Sequence, residues 1–330
     1  MSPAADPGLC AFGAQILVTH LGALEAEMEG VRTAGADIEH IHRMRVATRR
    51  LRATLPLFAG CLAEKKLATW EGEIRRITRA LGAARDADVQ IEALEKYAQA
   101  DQDPTHRPGL ARLLLRLRQV RDTLQPAVVK ALDRFDASGT LAGMRAQLVD
   151  LAAQTSGPPY SQALYLHARD SIQPRLEEFL AYDEIVPQPE RVTELHAMRI
   201  AAKRLRYTLE AFSPLYANGL KPWLPGVRDH QETLGAIHDC DVWSAFLPEF
   251  LEQEMKRVLA FYGYNRPYYR LLPGIRAFLA DRQASRERLY RGFVPEWQKQ
   301  QRKMMWQGLT GTIQMPLFRT VGLYPPTAET

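Results

Sequence analysis

The sequence predicts an all-α fold of two antiparallel helical bundles produced by an internal duplication and related by a pseudo-twofold axis. Three observations predict it. Leu, Ala, Arg and Glu recur at three- and four-residue spacing through most of the 330 residues, which is the period of an amphipathic helix. Strand signals are scarce, with little period-two alternation, few β-branched runs and no hairpin turn between alternating segments. Two sequence blocks occur twice in the same order: Ile41–Phe58 matches Leu195–Phe212 at ten of eighteen positions, and LGAARDADV at 81–89 matches LGAIHDCDV at 234–242 at six of nine. Trp70 with Trp223 and Arg75 with Arg228 fall in the register of the second block.

In chain order, the periodicity predicts helices over 10–30, 37–60, 65–99, 108–134, 140–154, 160–181, 190–214, 222–260 and 273–300. The second places Met44, Ala47, Leu51, Leu55 and Phe58 on one side, and Pro56 should end or kink it before Phe58. The third stops at DQDPTHRPG (101–109), the fifth at TSGPPY (155–160) and the sixth at VPQPE (186–190), where Pro and Gly cluster. The seventh repeats the design of the second, with Met198, Ala201, Leu205, Leu209 and Phe212 on its apolar side. The eighth ends at YGYNRPYYRLLPG (262–274). TSGPPY divides a first helical half, 1–154, from a second, 155–300. Residues 301–330 lose helical periodicity and gain Pro and Thr, so they are expected to form an extended tail.

The bulk numbers bound the class. A hydrophobic content of 46% and a charged content of 25% are ordinary for a soluble globular protein. No run approaches the apolar length of a membrane span, and the N-terminus has neither a basic n-region nor a small-residue cleavage site, so a signal peptide is not expected. Cys10, Cys61 and Cys240 are odd in number, widely spaced and in no metal-ligand pattern, which suggests a reducing compartment, hence cytoplasm, rather than a disulfide framework. A net charge of +5 permits a polyanionic partner without demanding one.

The distribution of that charge carries more information. At about 100° per residue, His42, Arg45, Arg49 and Arg52 fall within about an 80° sector opposite the apolar side of their helix. His196, Arg199, Lys203 and Arg206 take the same sector of the second copy, while Arg50 and Arg204 lie at its edge. The stripe is roughly 15 Å long. Like charges at this spacing repel by a few tenths of a kcal/mol each, residues 41–58 contain no Asp or Glu, and 195–212 contain only Glu210. A solvated or carboxylate-paired face is one reading, and a surface for an anion is the other. Recurrence of the pattern with its histidine favours the anion. Arginine suits phosphate because its planar fork donates two parallel hydrogen bonds and keeps its charge.

HRMRVATRRLRATLPLF and LHAMRIAAKRLRYTLEAF, with the LG…RDADV and LG…HDCDV blocks, resemble the conserved histidine α-helical domain (CHAD) family over roughly 10–300. The helices match its His-x-x-Arg-x-x-x-Arg/Lys-Arg-Leu-Arg pattern, although Thr48 replaces a usually apolar or small residue and only the second copy carries the Tyr207 of the family's LRY. The resemblance implies two bundles about a basic central surface or channel, binding of inorganic polyphosphate, and association with polyphosphate granules. By carry-over, His42, Arg45, Arg49, Arg50, Arg52, His196, Arg199, Lys203, Arg204 and Arg206 would line that surface. EAEMEG at 25–30 lacks the lysine of the ExExK signature found in the triphosphate-tunnel domains to which some members are joined.

Asp86 with Asp88 and Asp239 with Asp241 invite comparison with a metal or phosphoryl-transfer site. Residues two apart on a helix point about 200° apart, so a pair cannot chelate one ion on a regular helix. An orienting role toward the basic side chains is preferred; catalysis and plain surface use are the alternatives. His40 and His42 lack i,i+4 spacing, and there is no HExxH, Walker, dinucleotide or GxSxG motif. Phe261, Tyr262, Tyr264, Tyr268 and Tyr269, interleaved with Arg266 and Arg270, are expected to pack beside Pro267 rather than to stack bases. Trp306, Met315, Leu317 and Phe318 in the tail have no assigned partner. The sequence therefore predicts a non-catalytic polyphosphate-binding protein with no metal, cofactor or membrane contact; nucleic-acid binding and a metal-dependent polyphosphate-processing enzyme are the rivals.

Overall fold

The computed structural model of the chain describes residues 6–33, 38–154, 160–217 and 219–320. These form α1 (Pro7–Thr33), α2 (Ile38–Thr54), α3 (Glu64–Ala100), α4 (Arg107–Ala137), α5 (Thr140–Ala152), α6 (Gln162–Leu180), α7 (Val192–Phe212), α8 (Leu224–Tyr262), α9 (Arg266–Tyr269), α10 (Leu272–Arg302) and α11 (Met305–Thr320), and no strand occurs among the described residues. Pro56 acts as its position predicts. Helix α2 stops at Thr54 and the chain continues as a 3-10 turn over Leu55–Cys61, in which Phe58 leaves helical geometry. Ser161 caps α6 by accepting from the Leu164 amide, and Gly263, at φ 74°, ends α8 in the left-handed conformation that glycine adopts without steric cost.

Helix α1 packs on α2 and α5, α2 on α3, and α3 on α4; α6 packs on α7 and α11, α7 on α8, and α8 on α10. The same order of neighbours thus runs through both halves. Contacts of α1 with α6, α2 with α7 and α4 with α10 join them. By length and composition α1 is apolar enough to cross a membrane. Here Leu17, Leu21 and Leu24 of its apolar side are buried in the core of the first half.

That core is built on α1, α2 and α3, with Met44, Leu51, Trp70 and Leu81, and its counterpart contains Met198, Leu205, Phe212 and Leu234. A third cluster belongs to neither half alone. It interleaves Leu94, Leu110, Leu113 and Leu117 of α3 and α4 with Trp243, Leu247, Phe250, Ile275 and Phe278 of α8 and α10. The boundary stretch at 155–159 lies outside the described residues.

Two expectations are corrected. Residues 301–320 do not form an extended tail: α11 inserts Trp306, Leu309 and Ile313 into the second core, and Leu317 is also buried. Met315 is exposed, and the Phe318 side chain and 321–330 lie outside the described residues. A helix with one narrow apolar edge was hidden by Gly308, Gly311 and Pro316, which sequence rules count as breakers. Cys10 and Cys61 form a disulfide between α1 and the end of the 3-10 turn, leaving Cys240 free and buried. The three cysteines therefore do not argue for a reducing compartment.

Candidate functional site

Apolar residues at i,i+3 and i,i+4 turn one side of α2 and α7 into the cores, with Ile41, Met44, Leu51, Leu195, Met198 and Leu205 all buried. The basic residues are left on the other side. Because α2 packs on α7, the two stripes meet. Lys203 records the meeting: burial and then the charges of Arg199, Arg49, Arg45 and Arg204 lower its pKa to about 8. Arg49 is likewise lowered, first by desolvation and then by Arg45 and Arg206, against the opposing influence of Tyr207 and Asp86. Cations from both halves thus share one locality at a cost that burial amplifies.

The flanking helices contribute at matched places. Gly82 of α3 and Gly235 of α8 lie beneath the guanidinium groups of Arg45 and Arg199, where a Cβ would stand 3.9 and 3.5 Å from the respective Nε atoms. Arg85 and His238 occupy the same position of the two repeated blocks. His238 Nδ1 is 3.0 Å from His196 Nδ1, so the pair is joined through one ring proton. Burial, then His196, Arg199 and Lys203, lower His238 to about 4. His196 is lowered by desolvation, Arg199 and Lys203. His42 is lowered by desolvation and then Arg85, with Arg49 and Arg45 adding to it. All three rings resist taking a further positive charge in the unliganded protein. Arg49 Nε and Arg85 Nη1 are buried without a protein hydrogen-bond partner.

The two Asp pairs split as helix geometry requires. Asp86 accepts from Arg45 at 3.0 Å and so orients one stripe residue. Asp239 keeps an exposed edge, yet crowding desolvates its carboxyl and raises its pKa, with Arg199 pulling it down and Asp86 pushing it up. These two carboxylates face the cationic locality. Asp88 and Asp241 do not orient the stripes: Asp88 is buried and accepts from Arg121 of α4 at 2.6 Å, while Asp241 pairs with Arg286 of α10. They pin α3 to α4 and α8 to α10.

Part of the expected set is paired within the fold. Arg50 reaches Glu210 across the α2–α7 contact at 3.4 Å, Arg206 meets the same carboxylate at 3.5 Å, and Arg204 donates to Glu178 of α6 at 2.5 Å. Arg52 is exposed. The locality is therefore built on Arg45, Arg49, Arg199 and Lys203, with His42, His196, Arg85 and His238 beside them. The sequence reading missed Arg85 and His238, although aligned blocks with a basic residue at one position in both copies carried the signal. Arg121 and Arg286 gave none, because nothing in their own helices marks them as partners of the aspartates. Among the described residues no group of three or more His, Cys, Asp or Glu is arranged to hold a metal ion. The aromatic stretch 261–269 does not pack as expected: Phe261, Tyr262, Tyr264 and Tyr269 are exposed.

The CHAD domain family profile matches residues 15–248. Among solved structures, the chain is similar to the CHAD domain from the plant Ricinus communis, at 24% identity and a TM-score of 0.65, covering 90% of this chain and 93% of that one. It is also similar to PptA from Streptomyces chartreusis, at 18% identity and a TM-score of 0.57, covering 87% of this chain and 98% of that one. These likenesses concern the all-α fold. No curated protein matches the chain.

Proposed function

The chain belongs to the CHAD domain family, and on that premise we propose that it binds inorganic polyphosphate between the basic faces of α2 and α7 without transforming it. The observation that carries this reading is the proximity of Arg45, Arg49, Arg199 and Lys203 in a partly buried place, where burial and then the neighbouring charges bring Lys203 to about 8. A polyanion laid along the stripes would replace mutual repulsion with charge-assisted hydrogen bonds. The bidentate arginines would take neighbouring phosphate oxygens, and Lys203 would act as a point charge. Asp86 holds Arg45 in place and yields it to a better acceptor.

Two features favour binding over turnover. Asp86 is ion-paired with Arg45, and Asp88 and Asp241 are tied into helix-to-helix ion pairs, so three of the four aspartates are committed to arginines. The stripes also offer charge without interleaved aromatic faces, which favours polyphosphate over single-stranded nucleic acid. In this reading the two halves descend from one duplicated unit, and the protein acts at polyphosphate granules.

The test is competitive binding at physiological salt among long-chain polyphosphate, RNA and duplex DNA at equal phosphate concentration, with released orthophosphate assayed with and without magnesium. Preference for polyphosphate with no release is expected. Equal affinity for nucleic acid would replace the reading with a general polyanion binder, and magnesium-dependent release would replace it with an enzyme.

A further inference from the structure

The tip formed by the end of α8, α9 and the start of α10 carries large apolar side chains that the fold leaves uncovered. Phe261 is 82% exposed, and Tyr262, Tyr264 and Tyr269 are each close to half exposed or more. Met255, Leu259 and Tyr262, at i, i+4 and i+7 on α8, continue the uncovered face along one side of the helix. The base of the tip is held firmly. Gly109 and Gly274 let the first turns of α4 and α10 touch backbone to backbone, where a methyl group on either would collide with Leu271 or His106.

The stretch through this patch is basic, although Lys256 is paired with Glu252. From 255 to 280 the chain contains Lys256, Arg257, Arg266, Arg270 and Arg276 and no Asp or Glu. Beside the rings, an open groove of about 550 Å³ is lined by Arg112, Arg116 and Arg257 with Phe261 and Tyr262. All three arginines converge on one carboxylate, the fully buried Glu254, at 3.0, 2.8 and 2.7 Å. Three guanidinium groups on one carboxylate leave an excess of two positive charges at the groove.

The occupant must therefore offer anionic groups above an apolar layer. A second copy of this tip would bring like charges together. A nucleic-acid strand would use the rings but leave Met255 and Leu259 uncovered, and neighbouring rings stand edge-on or tilted, Phe261 to Tyr262 at 77° and Tyr262 to Tyr264 at 55°, rather than as parallel platforms. An anionic lipid surface satisfies both requirements: Tyr and Phe settle at the level of the headgroups, aliphatic side chains enter just below, and arginines meet phosphates. We propose that this tip docks the protein peripherally on anionic phospholipid bilayers, through a site separate from the α2–α7 stripes.

The experiment is co-sedimentation of the full chain at physiological salt with vesicles of phosphatidylcholine alone and of equal phosphatidylcholine and phosphatidylglycerol. Binding to the anionic vesicles alone is expected. The F261A/Y264A/Y269A and R266Q/R270Q variants should each lower it by about tenfold or more with unchanged helicity, whereas R45A/R199A should retain it. Absence of binding to anionic vesicles would overturn the proposal, as would tip variants that bind like the parent. Loss of binding confined to R45A/R199A would assign the lipid response to the stripes, and loss of short-RNA binding in the tip variants without any vesicle binding would assign the tip to nucleic acid.

Discussion

Replacing Lys203 with Met keeps most of the side-chain length and removes one charge from the crowded α2–α7 contact. The parent pKa is lowered from 10.5 to about 8, and each unit corresponds to about 1.4 kcal/mol, so holding Lys203 charged at neutral pH costs the ligand-free fold about 3 kcal/mol before solvent screening. Lys203→Met should therefore stabilise the ligand-free protein by about 1–3 kcal/mol at pH 7 and low salt. The sign follows from linkage. With its folded-state pKa below the unfolded value, Lys203 binds more protons in the unfolded chain between about pH 8 and 10.5, so the parent gains stability as pH rises through that window and the difference from the variant shrinks. Saturating polyphosphate should reverse the ranking, since the parent then gains a contact that the variant lacks. Urea unfolding of both proteins at several pH values, with and without polyphosphate, measures this. A variant less stable than the parent at pH 7 without ligand, or a difference that does not narrow above pH 8, would refute the argument that the stripes are mutually repelling.

Three further outcomes follow from the ion pairs and the core. Arg121→Ala abandons the buried Asp88 carboxylate and should cost about 3–5 kcal/mol in thermal or urea unfolding, whereas Asp86→Asn, at an exposed site 3.0 Å from Arg45, should leave stability nearly unchanged and tighten polyphosphate binding; equal effects on stability would deny the two aspartates separate roles. Trp306→Ala should cost about 3–5 kcal/mol because α11 completes the second core, and a silent variant would restore the picture of a dispensable tail. Unreduced, denatured protein should expose one reactive thiol, Cys240, and three after reduction, with the 51-residue Cys10–Cys61 loop worth up to about 4 kcal/mol of stability; three thiols before reduction would contradict the bond.

The basic stripes were legible because a helix converts a sequence interval into an angle, and the same conversion foresaw that each Asp pair must point two ways. The destinations were not legible. Asp88 finds Arg121 33 residues away and Asp241 finds Arg286 45 residues away, on helices whose rotation is set by packing rather than by local pattern. The angular argument placed Arg206 in the stripe and Arg50 and Arg204 at its edge; Glu210 at i+4 was a local sign of the Arg206 pairing, whereas nothing local announces Glu178 for Arg204 or the inter-helix reach of Arg50 to Glu210. Phe261 and its neighbours read as packing because aromatic residues beside Pro usually pack; their exposure is set by where the tertiary fold places the turn from α8 to α10.

The core cluster shared by α3, α4, α8 and α10 has a consequence for the proposed binding of a long phosphate chain. Trp243 and Phe278 from one side and Leu94 and Leu113 from the other are packed in one buried cluster, which opposes a jaw-like opening of the halves. Under the proposed function, the interval between the two rows of cations would be set before polyphosphate arrives and would act as a gauge, selecting a ligand by the rise between its own successive charges. Cutting the gene at its midpoint would strip a greasy flank on each fragment, so the two halves, however alike, should not be obtainable as separate soluble pieces.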